Sequence, residues 1–305
     1  MLRLFDVSSG QVAAIRPAHP GELRVLAVTA GVRGEPDPGQ LRAWLLPDLI
    51  RRCAERRSLV PTICEITGLV WQGTPVDPSV TATVPDHAAA RAALNIHPPA
   101  RIAPASEPAE RTAEFVAPGR RGGGTGGPPP FDIGIGETGW FAGREFVRQL
   151  TAPNGAVVVG TPERPAGTHE QAGGCAPLTL PDVAGRGLDP LALRLVFLGH
   201  RYRDDLDLTW DALHAAGKTL QHWRESVAEW ALSPSAPISP RYAETVTAAF
   251  EDDLDTPTAL RELDTLESDG DVPPGAKFET FAALDRLFGL DLARDIGKIS
   301  TSRTR

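Results

Sequence analysis

The chain has 305 residues, 41% of them hydrophobic and 23% charged, with a formal net charge of −8. It is long enough for one large domain, or a large and a small one, and lacks any apolar run near the ~20 residues of a membrane-spanning helix. The acidic balance disfavours a protein living on nucleic-acid phosphates, and three cysteines (Cys53, Cys64, Cys175) without CxxC spacing disfavour a disulfide framework or a cysteine-rich zinc site.

The opening MLRLFDVSSG lacks the basic-then-apolar order of a secretion signal, so a cytoplasmic location is expected. Residues 1–17 read as a hairpin turning at Ser8-Ser9-Gly10. Leu23–Thr29 reads as a buried strand. Leu41, Leu45, Leu49 and Ile50 then recur at helical spacing, with Pro47 expected to kink that helix or remove one hydrogen bond. Ser58–Thr67 reads as a second strand. Strand, helix and strand at this spacing form a βαβ unit and predict a parallel sheet. The run RRCAERR at Arg51–Arg57 is the main basic cluster and reads as a solvated helix face.

Residues 70–130 are poorly patterned, with a Gly/Pro-rich insertion near 117–130. The insertion lacks the Lys and Ser/Thr that end a phosphate-cradling loop and reads as a flexible linker. A helix is expected over Trp140–Leu150 and a strand over Ala156–Gly160. From Pro181 onward the pattern is helical. Thr209 is placed as the N-cap of a helix whose apolar stripe is Trp210, Leu213, Leu220, Trp223, Val227 and Trp230. Ser239-Pro240 and Thr256-Pro257 open two more helices, and a last one runs Phe278–Phe288 to Gly289. His200, His214 and His222 read as surface or satisfied bundle histidines. The only lysines are Lys218, Lys277 and Lys298, so any phosphate clamp in the first 217 residues would use Arg, backbone N–H groups or a metal.

Two stretches carry a family resemblance. GELRVLAVTAGVRGEPDPGQLRAWLLPDLIRR at Gly21–Arg52 resembles the opening of cysteinyl-tRNA synthetase, keeping Gly21, Glu22, Val32, Gly39, Arg42, Asp48 and Arg52. LDPLALRLVFLGHRYRDDLDLTWDAL resembles the start of that family's helical bundle, through Asp189, Pro190, Ala192, Leu193, Arg194, Tyr202, Arg203, Leu206, Asp207 and Thr209. FEDDLDTPTAL at Phe250–Leu260 and ALNI at Ala93–Ile96 add shorter matches. The resemblance implies a class I, Rossmann-like nucleotidyl-transferase sheet over 1–180, followed by an α-helical bundle over 181–305. A related mycothiol-pathway cysteine ligase is the other member that the chain resembles.

The family's chemical signatures do not carry over. Its HIGH motif falls on Asp37-Pro38-Gly39-Gln40, which places acid and neutral groups where two histidines meet ATP. No KMSKS sequence lies between Gly160 and Leu178. One zinc cysteine falls on Val28 and another on Arg144. The HHENE segment falls near Thr168-His169-Glu170-Gln171, where His169 alone remains as a ligand. The family's NITDID stretch becomes Glu65-Ile66-Thr67-Gly68-Leu69-Val70. ATP and zinc are therefore expected to be lost, and no catalytic residue is assigned. The candidate pocket is Asp37, Gly39, Gln40, Arg42, Thr67, Trp140 and His169. The expected role is a non-activating binding or regulatory protein for an unidentified small molecule or protein partner. A ligase or transferase of altered chemistry, taking a preactivated substrate, is the alternative. A tRNA-binding module with a basic stripe through Arg51, Arg52 and Arg57 is the third reading, disfavoured by the net charge.

Overall fold

A computed structural model describes residues 1–30, 35–69, 87–104, 131–137, 157–161 and 178–298. The chain opens with the antiparallel hairpin β1 (Arg3–Asp6) and β2 (Gln11–Ala14), with Phe5 opposite Val12 and Gly10 at φ +69° in the turn. β3 (Glu22–Ala30), β4 (Val60–Leu69), β5 (Arg101–Pro104), β6 (Ile133–Glu137) and β7 (Val157–Thr161) form one parallel sheet in the order β5-β4-β3-β6-β7. Leu23 through Val28 are all buried in the central strand and, Arg24 apart, apolar, as in a strand covered on both faces. The strand order, counted within the sheet as 3-2-1-4-5, is that of a Rossmann-like α/β fold.

Between β3 and β4 runs α1 (Pro38–Arg56), whose face Leu41, Trp44, Leu45, Leu49 and Cys53 is buried. The helix continues through Pro47, which removes one rung of the hydrogen-bond ladder without ending it. A short α2 (Ala88–Ala93) precedes β5. Both lie in the stretch whose sequence shows little pattern. One is a single alanine-rich turn and a half, and the other is a four-residue edge strand, so neither offers a full period to read. The helix expected over Trp140–Leu150 lies outside the described residues.

The C-terminal part is helical, as its sequence pattern predicts: α3 (Leu180–Gly185), α4 (Leu191–Leu198), α5 (Trp210–Trp230), α6 (Pro240–Glu251), α7 (Thr256–Ser268) and α8 (Pro274–Phe288). Thr209 caps α5, its side chain accepting from the Ala212 N–H, and Asp211 lies in the first turn. Leu213, Leu220, Trp223 and Val227 of the expected stripe are buried. α8 starts one turn earlier than its apolar pattern suggests, because Pro273-Pro274 supplies a preset first helical residue. The sheet and the helices share one hydrophobic cluster, running from Leu4 and Val25 through Trp44 to Phe250 and Phe288. Among the described residues no helix is long and apolar enough to cross a membrane.

Two buried polar clusters join the sheet region to the helices. In the first, the fully buried Asp48 of α1 accepts from Arg52 Nε (2.8 Å) and Arg194 of α4 (2.9 Å) on one oxygen. Its other oxygen accepts from the His97 backbone N–H (3.0 Å) and pairs with His97 Nδ1 (2.7 Å). Arg194 also donates to the carbonyls of Phe288, Leu94 and Asn95, and Arg52 to those of Arg286 and Asn95. Burial opposes ionisation of Asp48, but the His97 hydrogen bonds and the two guanidinium groups outweigh it and hold the carboxyl well below the usual range. Burial pulls Arg194 down to about 10 against the opposing pull of Asp48. Gly289 closes the cluster at φ +65°, where a Cβ would lie 2.7 Å from Arg194 Nη2.

The second cluster centres on Asp253, itself left-handed at φ +57°. Its carboxylate accepts from the Phe5 backbone N–H (2.7 Å), the Tyr202 hydroxyl (2.6 Å) and Arg203 (2.6 Å). Burial, together with that carboxylate, pushes the Tyr202 hydroxyl upward in pKa. The N-terminal hairpin is thereby fastened to the helices on one side. On the other, Val7 N–H donates to the Val158 carbonyl of β7 (2.8 Å).

Candidate functional site

In an open parallel sheet, ligands bind outside the carboxyl ends of the strands, where the strand order reverses. Here that place lies above β3 and β6, beside the start of α1, near which Asp37, Gly39, Gln40 and Arg42 lie. Asp37 is the N-cap of α1: its backbone is extended and its carboxylate accepts from the Gln40 N–H at 2.9 Å. Pro38 has no N–H, and the Leu41 N–H is taken by the Asp37 carbonyl at 3.0 Å. Three of the first four helical positions therefore offer nothing to a phosphate, although a helix start is otherwise a ready anion site. The cap is already occupied by an acid of the chain itself, which also takes up the favourable end of the helix dipole.

The remaining candidates do not converge on that point. Gln40 is buried in the first turn. Arg42 is turned toward the helical region, donating to the carbonyls of Asp204 (2.7 Å) and Arg201 (2.6 Å). Burial lowers its pKa, with Asp204 and Asp205 opposing. Thr67 lies near the end of β4, in register with Pro104. Trp140 and His169 lie outside the described residues. In the basic run at Arg51–Arg57, Arg56 and Arg57 are exposed as the solvated face expected from sequence, Arg51 is half-buried, and Arg52 departs from that face. Arg52 turns inward because its carboxylate partner sits one turn back at Asp48, and Arg57 is paired with Glu251. A basic stripe through Arg51, Arg52 and Arg57 is therefore interrupted at the buried Arg52.

A second buried group lies midway along β4. Glu65, 3% exposed, accepts from Thr29 Oγ1 (3.0 Å) and Trp44 Nε1 (3.1 Å), and pairs with Arg91 of α2 at 2.6 Å. The Arg91 guanidinium lies over the Trp44 ring (4.1 Å), and His87, at φ +46°, packs on the same indole with ring centroids 5.3 Å apart. Neither Glu65 nor Arg91 is among the candidate residues predicted from sequence. An acid among β-strand residues, followed by an arginine in the next helix, gives no local sign of pairing across 26 positions.

Val28, at the aligned zinc-cysteine position, is buried in β3 and brings no donor atom, while Arg144 and His169 lie outside the described residues. Among the described residues no group of three or more His, Cys, Asp or Glu side chains could hold a metal ion. Cys53 is buried, and burial pushes its thiol up to about 12, which makes it an inert core residue. A groove of about 450 Å³, lined by Arg3, Thr245, Ala249, Glu251, Asp252 and Thr258 among others, shares no residue with the candidate set.

No family model matches the chain. It is similar to the L-cysteine:1D-myo-inositol 2-amino-2-deoxy-alpha-D-glucopyranoside ligase of Cellulomonas flavigena, at 36% identity over 109 residues, which cover 34% of this chain and 25% of that protein. The corresponding ligase of Streptomyces griseus is also 36% identical, over 110 residues, 35% of this chain and 26% of the relative. The cysteine–tRNA ligase of Treponema denticola is 28% identical over 142 residues, 39% of this chain and 29% of that protein. The matches thus span only about a quarter of the length of these curated relatives. Over about a third of its own length, on a Rossmann-like sheet with a helical C-terminal region, the chain is related to cysteinyl-tRNA-synthetase-like proteins.

Proposed function

We propose that this chain is a synthetase-like paralogue that does not activate an amino acid, and that it serves in the cytoplasm as a binding or regulatory protein without ATP or zinc. The reading rests on one observation: the Asp37 carboxylate caps α1 at the position aligned with the HIGH motif. Adenylate formation needs preorganised donors where negative charge develops on phosphate. An acid that already fills the helix start repels that charge, and no lysine occurs in the first 217 residues to offset it. Val28 in place of a thiolate removes one source of cysteine recognition by zinc. In the helical region acidic side chains outnumber basic ones, which supports a small-molecule or protein partner over tRNA.

The test is isothermal titration of the purified chain with ATP, a non-hydrolysable cysteinyl-adenylate analogue and tRNA, together with cysteine-dependent exchange of pyrophosphate into ATP. The expected result is no exchange and no tight adenylate binding. Sub-micromolar affinity for the analogue, or exchange above background, overturns the reading.

A further inference from the structure

We draw no further inference here: the strongest candidate, the buried Glu65–Arg91 pair between β4 and α2 with Trp44 and His87, belongs to the candidate site already described, and nothing in the structure shows what ligand it would meet.

Discussion

The middle of α1 and its first turn are separated by little more than two helical turns, yet they behave differently. The middle presents Asp48 and Arg52, both at positions that match the synthetase resemblance, to Arg194 on α4, which matches it too. These groups satisfy one another inside the fold and need no ligand. The first turn presents Asp37 and Gln40, which depart from the resemblance, and there the chain's own carboxylate takes the amide that an anion would use. The resemblance is kept where the side chains close on one another and departs at Asp37 and Gln40 at the helix start. Fold and chemistry are thus separable along a single helix.

The largest effect tests the frame. Asp48→Ala leaves Arg52 and Arg194 buried without their shared carboxylate, and breaking such a group destabilises a protein by about 3–5 kcal/mol. Urea denaturation followed by circular dichroism should show a loss of that order. A loss below about 1 kcal/mol would mean the cluster behaves like a surface pair and would remove one side of the comparison.

The same carboxylate can be read by pH. Its folded pKa lies below the unfolded value of about 3.9, so its contribution is complete above that value and is lost as pH falls through the acid range. Asp285 runs the other way: burial raises its carboxyl, so protonation favours the fold and offsets part of the loss. Urea midpoints measured from neutral pH to about pH 3 should fall less steeply for Asp48→Asn than for the parent chain. Parallel profiles would show that Asp48 is not held low in the fold.

Gly289→Ala comes next. The substitution places a Cβ 2.7 Å from Arg194 Nη2 and 2.9 Å from Arg52 Cζ, on a left-handed backbone. Strain at such a position costs on the order of 1–3 kcal/mol, and a thermal melt should register it. An unchanged melting temperature would indicate that the two guanidinium groups can move aside, and that the cluster is looser than its geometry.

How much of this was legible in sequence depended on distance along the chain. The hairpin, β3, α1, β4 and the capped helices declare themselves through local periodicity and through residues such as Thr209 and Gly289. β6 does not, because Ile133-Gly134-Ile135-Gly136 has too little side chain to show alternation. The Asp48–Arg52 spacing is a visible i,i+4 pair, but Arg194 lies 146 residues away and only the fold brings it in. At the site, Asp37 reads from sequence as a charge opposing phosphate. Its capping role was also available there, since an acid directly before Pro38 is a helix-start signal.

That double role of Asp37 gives the smallest effect and the sharpest probe of the functional half of the comparison. Asp37→Ala should lose about 1 kcal/mol of stability with the cap. Asp37→Asn keeps a side-chain oxygen for the Gln40 N–H and should stay within about 0.5 kcal/mol of the parent chain. Neither variant is expected to exchange pyrophosphate into ATP, because removing a repulsive charge supplies none of the cations that a triphosphate needs. Exchange in Asp37→Asn alone would locate the whole block in one carboxylate. The first turn of α1 would then be a working phosphate site held shut by its cap, and the argument from missing lysines would fall.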